Sequence, residues 1–190
     1  NRLQIAAAEL VLGEIGTVTG SATLDLANPR AGSATLQAPA LDLAALHRLL
    51  VKPMLPNSVV AELALVGRLA LAGELRAGEW IRASARLTDA SVSDAKERIA
   101  IDGLSAELPW VRGETTGAAL RWRSARFFKV PIGAATLPIA FSPESVEIRK
   151  ATLPILDGAL VLDRLGADRA DGAWPVVLAG RITPISMARL

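Results

Sequence analysis

The chain has 190 residues, of which 51% are hydrophobic and 21% are charged, with a formal net charge of +2. This length and apolar content predict one folded domain and exclude both a disordered chain and a multidomain enzyme. The absence of cysteine excludes disulfides and thiolate metal sites, and the small, evenly spread charge argues against nucleic-acid binding.

Alternation of apolar and polar residues with a period of two begins early in the chain, and this period is typical of strands with one buried face. Val18, Ala22 and Leu24 share one face, while threonines and serines occupy the other. We therefore assign residues 1–40 to strands.

Helical periodicity is clear only in residues 41–51. Leu43, Leu46 and Leu50 recur at the spacing of one helix face, and Asp42 stands at the position of an N-cap. The sequence therefore predicts a short amphipathic helix between two sets of strands.

The clearest strand covers Leu63 to Arg76, where leucines alternate with charged or small residues. At ~3.3 Å per residue such a strand is about 45 Å long, more than twice the usual length. The pair Ala77-Gly78 is a turn signal, and the alternation resumes at Ile81. These features predict a long β-hairpin.

Later segments continue the alternation. One strand begins at Ile99 and contains Gly103, a residue that marks a bulge. Further strands are expected at Ala118 to Phe128, Val146 to Leu153, Ala159 to Leu165 and Pro175 to Ile182. The fold class is therefore mainly β, a meander of long antiparallel strands with one or two short amphipathic helices.

The last six residues, 185–190, repeat the pattern that begins the helix at residue 41, which indicates a weak internal repeat. In this interpretation, strands 1–40 and helix 41–51 are followed by strands 59–183 and a second helix start. The chain opens at Asn1 without a signal pattern, and no run reaches the ~18 apolar residues of a membrane span. We expect residues 1–190 to be a single segment of a longer protein.

No catalytic constellation is visible, so the sequence predicts a protein that is not an enzyme and needs no cofactor or metal. The single histidine, His47, lies off the apolar stripe and is expected at the surface. Arg121 and Arg123 flank Trp122, which predicts a solvated face backed by a buried indole. Four acidic residues lack calcium-loop spacing and are expected in solvated turns: Asp157, Asp163, Asp168 and Asp171.

The long strands carry more apolar surface than a single thin sheet can bury, and two interpretations of this surface remain open. The face either packs into an ordinary core, or it lines an open groove suited to acyl chains. Alternation alone selects the candidate groove residues. They are Leu63, Leu65, Leu69, Leu71, Leu75, Ile81, Leu87, Ile99 and Ile101.

Four segments resemble the YdbH branch of the AsmA-like proteins of Gram-negative bacteria. They are Arg121–Arg123, Val130–Gly133, Val146–Leu162 and Leu178–Ser186. The helix at residues 41–46 is compatible with the same family. The resemblance covers most of the chain through patterned repeats.

This resemblance implies a longer periplasmic protein, anchored in the inner membrane by one N-terminal helix. Its fold would be a long curled β-sheet, a β-taco with an apolar interior, and it would carry phospholipids toward the outer membrane. The expected partners are phospholipid acyl chains and envelope proteins at the two membranes. No catalytic residues accompany the family.

A second hypothesis is a structural or assembly factor for outer-membrane proteins, which would pair its exposed sheet edges with client strands, as has been proposed for TamB-type proteins. An enzyme of unrecognised type is a third. The first two differ in whether the face from Leu63 to Leu75 is filled or open.

Overall fold

The structure is a computed structural model, which describes residues 2–28, 31–55, 58–96, 98–142, 144–168 and 175–184. In these residues the chain forms one large antiparallel sheet of thirteen strands, and the mainly β prediction is confirmed. The strands are β1 (Arg2–Val11), β2 (Thr17–Asp25), β3 (Ser33–Asp42), β4 (Leu63–Arg76), β5 (Glu79–Asp94), β6 (Ile99–Val111), β7 (Thr116–Trp122), β8 (Ser124–Phe127), β9 (Val130–Ile132), β10 (Ala135–Phe141), β11 (Ser145–Ile155), β12 (Gly158–Asp168) and β13 (Val176–Ile182).

Strands follow one another in the sheet almost in chain order, from β1 through β7 and then from β10 to β13. The exception is the short hairpin of β8 and β9, in which β8 pairs with the start of β6 and β9 touches β11. The predicted strand at residues 118–128 is therefore divided at Arg123. There the Arg123 backbone N–H donates to the carbonyl oxygen of Asp102, and pairing with β6 continues while the partner on the other side changes from β10 to β9.

The long hairpin agrees with its prediction. Strand β4 covers Leu63–Arg76, and β5 follows after a two-residue turn in which Ala77 and Gly78 both have positive φ, 52° and 78°. Two positive φ values are typical of a type I′ turn, whose twist matches that of the adjoining strands. Local sequence signals are therefore sufficient to specify this hairpin.

Bulges bend the sheet. The pairing of β4 with β5 shifts at Gly67, and that of β5 with β6 shifts beside Gly103, as the sequence predicted for Gly103. Bulges increase local twist and bend a strand. Strands β3 and β10, far apart in the strand order, consequently line the same cavity, so the sheet is curled.

Helix α1 (Leu43–Leu46) continues as a π-helical turn (His47–Val51) and a last turn, α2 (Lys52–Met54). Two 3-10 turns, Gly13–Ile15 and Val59–Glu62, complete the elements. The predicted N-cap is present, because the Asp42 side chain accepts a hydrogen bond of 2.8 Å from the Ala45 backbone N–H. The second predicted helix, at residues 185–190, lies outside the described residues.

The prediction that His47 lies at the surface is wrong, because its side chain is only 6% exposed. His47 follows Leu43 by four residues, about one helical turn, so both face the sheet. Leu50, which the sequence placed on the inward stripe, is exposed instead. The change from α-helical to π-helical winding after Leu46 accompanies this difference.

Two hydrophobic clusters meet at α1. Leu43 packs with Ala90, Leu104 and Trp122, and on the other side Ala45 packs with Ile15, Ala38 and Leu41. The burial of Trp122 between exposed arginines is confirmed, and its indole N–H donates to the Gly133 carbonyl oxygen at 2.9 Å. We call the end of the sheet that carries the helical segment the closed end.

A buried carboxylate stabilises the connection from β5 to β6 at the closed end. Asp94 is only 5% exposed, ion-pairs with Arg98 and accepts a 2.9 Å hydrogen bond from the Lys96 backbone N–H. The Arg98 hydrogen bond, followed by the Lys96 backbone N–H, lowers the pKa of Asp94 below its usual value. The ionised form is therefore the one that the fold favours.

Asp94→Asn is expected to remove part of the pH dependence of stability. Because the folded-state pKa is lowered, the contribution of Asp94 is complete above its unfolded pKa of about 3.9 and disappears as the pH falls through the folded value. The urea midpoint of the wild type should fall between pH 5 and pH 2 more steeply than that of the variant. Asp163→Asn, which removes an exposed carboxylate paired with Arg181, is the control, and an equally large effect there would contradict the assignment.

Candidate functional site

The concave face of the curled sheet contains a cavity of about 800 Å³, which we call the trough. It is lined by β2 to β6 on one side and by β10 and β11 on the other. Its larger apolar side chains are Val18, Leu36, Leu41, Leu71, Trp80, Leu108, Trp110, Ile139, Phe141 and Val146. A volume of this size is within the ~300–1,000 Å³ range of small-molecule sites.

The chemistry of the trough is almost purely hydrocarbon. Among the described residues, its polar side chains are Gln37, Ser84 and Ser142, and no charged residue lines it. A wall of this composition excludes water from an apolar ligand but offers few groups that would fix a headgroup or activate a nucleophile. The lining of the trough therefore suits hydrocarbon chains better than polar ligands.

Small and large residues alternate across the floor of the trough. Ala83 lies opposite Trp110 in the pairing of β5 with β6. The Trp80 ring lies directly over Gly73, where an added Cβ would come within 2.3 Å of the ring. Gly73 thus makes room for an indole that is 44% exposed at the rim of the trough, at the end of the sheet opposite the helical segment. We call this the open end.

The structure separates the predicted groove residues into three sets. Leu65, Leu69, Leu87 and Ile101 pack against the cluster around Leu43. Leu71 alone lines the trough, and it is 39% exposed. The others, Leu63, Leu75, Ile81 and Ile99, are half-buried and belong neither to the trough nor to that cluster.

The helical segment causes this division. Leu43 and Ala45 fill the concave face as far as Leu69, which contacts both hydrophobic clusters. Two residues further along β4, at Leu71, the face opens into the trough. The face is therefore packed at the closed end and unfilled at the open end.

Several trough residues were not among the predicted ones. Leu108 and Trp110 could have been found, since they continue the alternation of β6 beyond the Gly103 bulge. Ile139 and Phe141 also alternate with smaller residues, but nothing in the sequence places β10 opposite β3, because β10 reaches the trough only through the curl of the sheet.

The convex face combines charged and apolar side chains. A second, open cavity of about 940 Å³ lies there, and ion-paired side chains such as Arg86 and Glu107, 2.7 Å apart, form part of its lining. Across the described ranges, no group of three histidine, aspartate or glutamate residues is arranged to hold a metal ion. No helix within those ranges has both the length and the apolar character needed to cross a bilayer.

Comparison with protein-family models, with curated proteins and with solved structures finds no match for this chain. The trough and the sheet edges are therefore the features from which a function can be argued. Both outer strands, β1 and β13, have every residue exposed.

Proposed function

We propose that this chain is a periplasmic segment of an intermembrane phospholipid transport protein and that its trough shields acyl chains from water. The observation that carries the proposal is an uncharged apolar cavity of about 800 Å³ left open on the concave face of a curled sheet. The four segments that resemble YdbH-type AsmA-like proteins support phospholipid as the transported molecule and the periplasm as the location.

The physical basis is the transfer of methylene groups out of water. Each buried CH₂ contributes about 0.8 kcal/mol, so even part of one acyl chain gives substantial retention. The headgroup stays solvated at the rim, since the trough is open to solvent on one side. Because the walls have few polar groups, no position holds the lipid much more tightly than its neighbours, and a chain can slide.

A second candidate is an assembly factor that pairs its sheet edge with client strands. The observation that favours it is the outer strand β13, whose exposed residues include Val176, Leu178 and Ile182. Unpaired backbone groups on such an edge can accept an added strand. This candidate predicts client binding without bound lipid.

Leu71→Asp is expected to remove bound lipid while the protein stays folded. A carboxylate in the trough must be desolvated when an acyl chain enters, which opposes binding. Lipid extraction and mass spectrometry on protein purified with minimal detergent should find about one phospholipid per wild-type chain and at least about tenfold less in the variant.

Val66→Asp is the matched control, because Val66 lies on the same strand, is 63% exposed and does not line the trough. It should retain lipid like the wild type, and circular dichroism should show strand content unchanged in both variants. A lipid-free wild-type chain, or equal lipid in the wild type and Leu71→Asp, would overturn the proposal and favour the assembly factor.

A further inference from the structure

The tip of the β8–β9 hairpin presents two large aromatic side chains to solvent. Phe127 is 51% exposed and Phe128 is 61% exposed, and their rings meet edge to face with centroids 4.8 Å apart. Exposed phenylalanines in contact with each other form a small apolar surface rather than scattered positions. We call residues Phe127–Lys129 the hairpin tip.

The backbone of the hairpin tip is held in an unfavourable conformation. Phe128 and Lys129 have φ values of 45° and 71°, in the region that two-residue hairpin turns usually fill with asparagine and glycine. A 2.8 Å hydrogen bond from the Phe128 backbone N–H to the Arg98 carbonyl oxygen holds the turn against the β5–β6 connection. The structure thus tolerates strain at a position that displays an aromatic ring.

More exposed apolar residues lie at this end of the sheet. Phe127 pairs with Ile99 at the start of β6, which is the closed end. The helical segment and the residues that follow it, at the same end, expose Leu49, Leu50, Met54 and Leu55. The closed end therefore has apolar side chains on two separate elements.

Basic residues lie beside the hairpin tip, where Lys96, Arg98 and Lys129 line a shallow cavity together with Phe128. Lys96 forms an ion pair with Glu62, and Arg98 forms ion pairs with both Glu62 and Asp94. Among the described residues, Lys52, Arg126 and Lys129 have no carboxylate within ion-pair distance. Even when Glu97 is included from the sequence, the five basic residues named above outnumber Glu62, Asp94 and Glu97. This charge complements an anionic surface.

We propose that the closed end docks on an anionic lipid bilayer, with the hairpin tip inserted at the level of the headgroups. Aromatic and aliphatic side chains bind the boundary between headgroups and acyl chains, and nearby lysines and arginines attract anionic lipid. The proposal does not depend on the trough, which lies at the open end.

Vesicle flotation tests the docking surface. The wild-type chain should float with vesicles of equal parts phosphatidylglycerol and phosphatidylcholine at least about tenfold better than with phosphatidylcholine alone. Both Phe127→Ser/Phe128→Ser and Arg126→Glu/Lys129→Glu should lower binding to the anionic vesicles about tenfold or more. Val176→Ser/Leu178→Ser removes exposed apolar side chains from β13 and should leave binding unchanged.

A fluorescent label tests insertion. Because the chain has no cysteine, Phe128→Cys can carry a single polarity-sensitive dye, and Glu114→Cys places the same dye in the turn after β6 at the open end. Anionic vesicles should shift the emission of the first label to the blue and leave the second unchanged. Equal shifts at both positions, equal flotation with both kinds of vesicle, or unchanged binding of the two hairpin variants would overturn the proposal.

The outcomes of this experiment are independent of those for the trough. Leu71→Asp should float with anionic vesicles like the wild type, since Leu71 lies in the trough and not at the hairpin tip. Loss of lipid retention without loss of flotation would therefore concern the trough alone. A failure of flotation with lipid still bound in the purified protein would concern the docking surface alone.

Discussion

Leu69→Asp is expected to lower the free energy of unfolding by about 3 kcal/mol or more, because it places a carboxylate inside the packed part of the concave face. Leu69 contacts both hydrophobic clusters and pairs with Leu41 on one side and Leu87 on the other. Leu69 is half-buried, and its contacts with both clusters mean that a carboxylate there loses much of its hydration and disrupts the packing on both sides. Urea unfolding followed by circular dichroism measures the change.

Leu71→Asp is the matched comparison, since it makes the same substitution two residues further along the same face of β4. Leu71 borders the trough and is 39% exposed, so its carboxylate stays hydrated. We expect a loss of less than about 1 kcal/mol. Similar losses at both positions would show that the face is filled along its whole length and that the trough is ordinary core.

Gly67→Ala is expected to destabilise the sheet by about 3 kcal/mol or more, through both strain and steric overlap. Gly67 has a φ of 132°, and an added Cβ would lie 2.7 Å from the Cα of Ala90. Ala90 is 1% exposed and belongs to the cluster around Leu43, so the neighbouring backbone cannot move away without opening that cluster. Thermal or urea unfolding measures the loss.

Gly117→Ala provides the control for this substitution. Nothing lies within 4 Å of a Cβ at Gly117, and its φ is not positive, so alanine should change stability by less than about 1 kcal/mol. If the two variants were equally stable, the bulge at Gly67 would not be a point of close contact between β4 and β5. The curl of the sheet would then need another cause.

The features that followed from the sequence are those that depend on residues close together in the chain. Alternating leucines specified β4, the Ala77-Gly78 pair specified its turn, and Asp42 specified the start of α1. Each depends on local propensity, so no distant contact was needed to predict it.

The predictions that went wrong depend on contacts from elsewhere in the fold. The strand expected at residues 118–128 is divided at Arg123, because its neighbour on one side changes there from β10 to β9 while β6 remains its neighbour on the other side. His47 is buried because the sheet packs against the helix face that carries Leu43, one turn earlier, and Leu50 is exposed because the winding changes to π-helical after Leu46. Periodicity alone cannot supply either fact.

The sequence by itself determined that this chain is an antiparallel sheet with one continuous apolar face, since alternation settles which side chains share a face. Only the tertiary structure decided what lies opposite that face. The bulges beside Gly67 and Gly103 bend the sheet. As a result, Leu69 packs against the cluster around Leu43, whereas Leu36 and Phe141 lie on opposite sides of the trough. This curvature decides whether an apolar side chain packs against another side chain or lines the unfilled trough. Because the curvature is the sum of small bends over many strands, no local stretch of sequence specifies it.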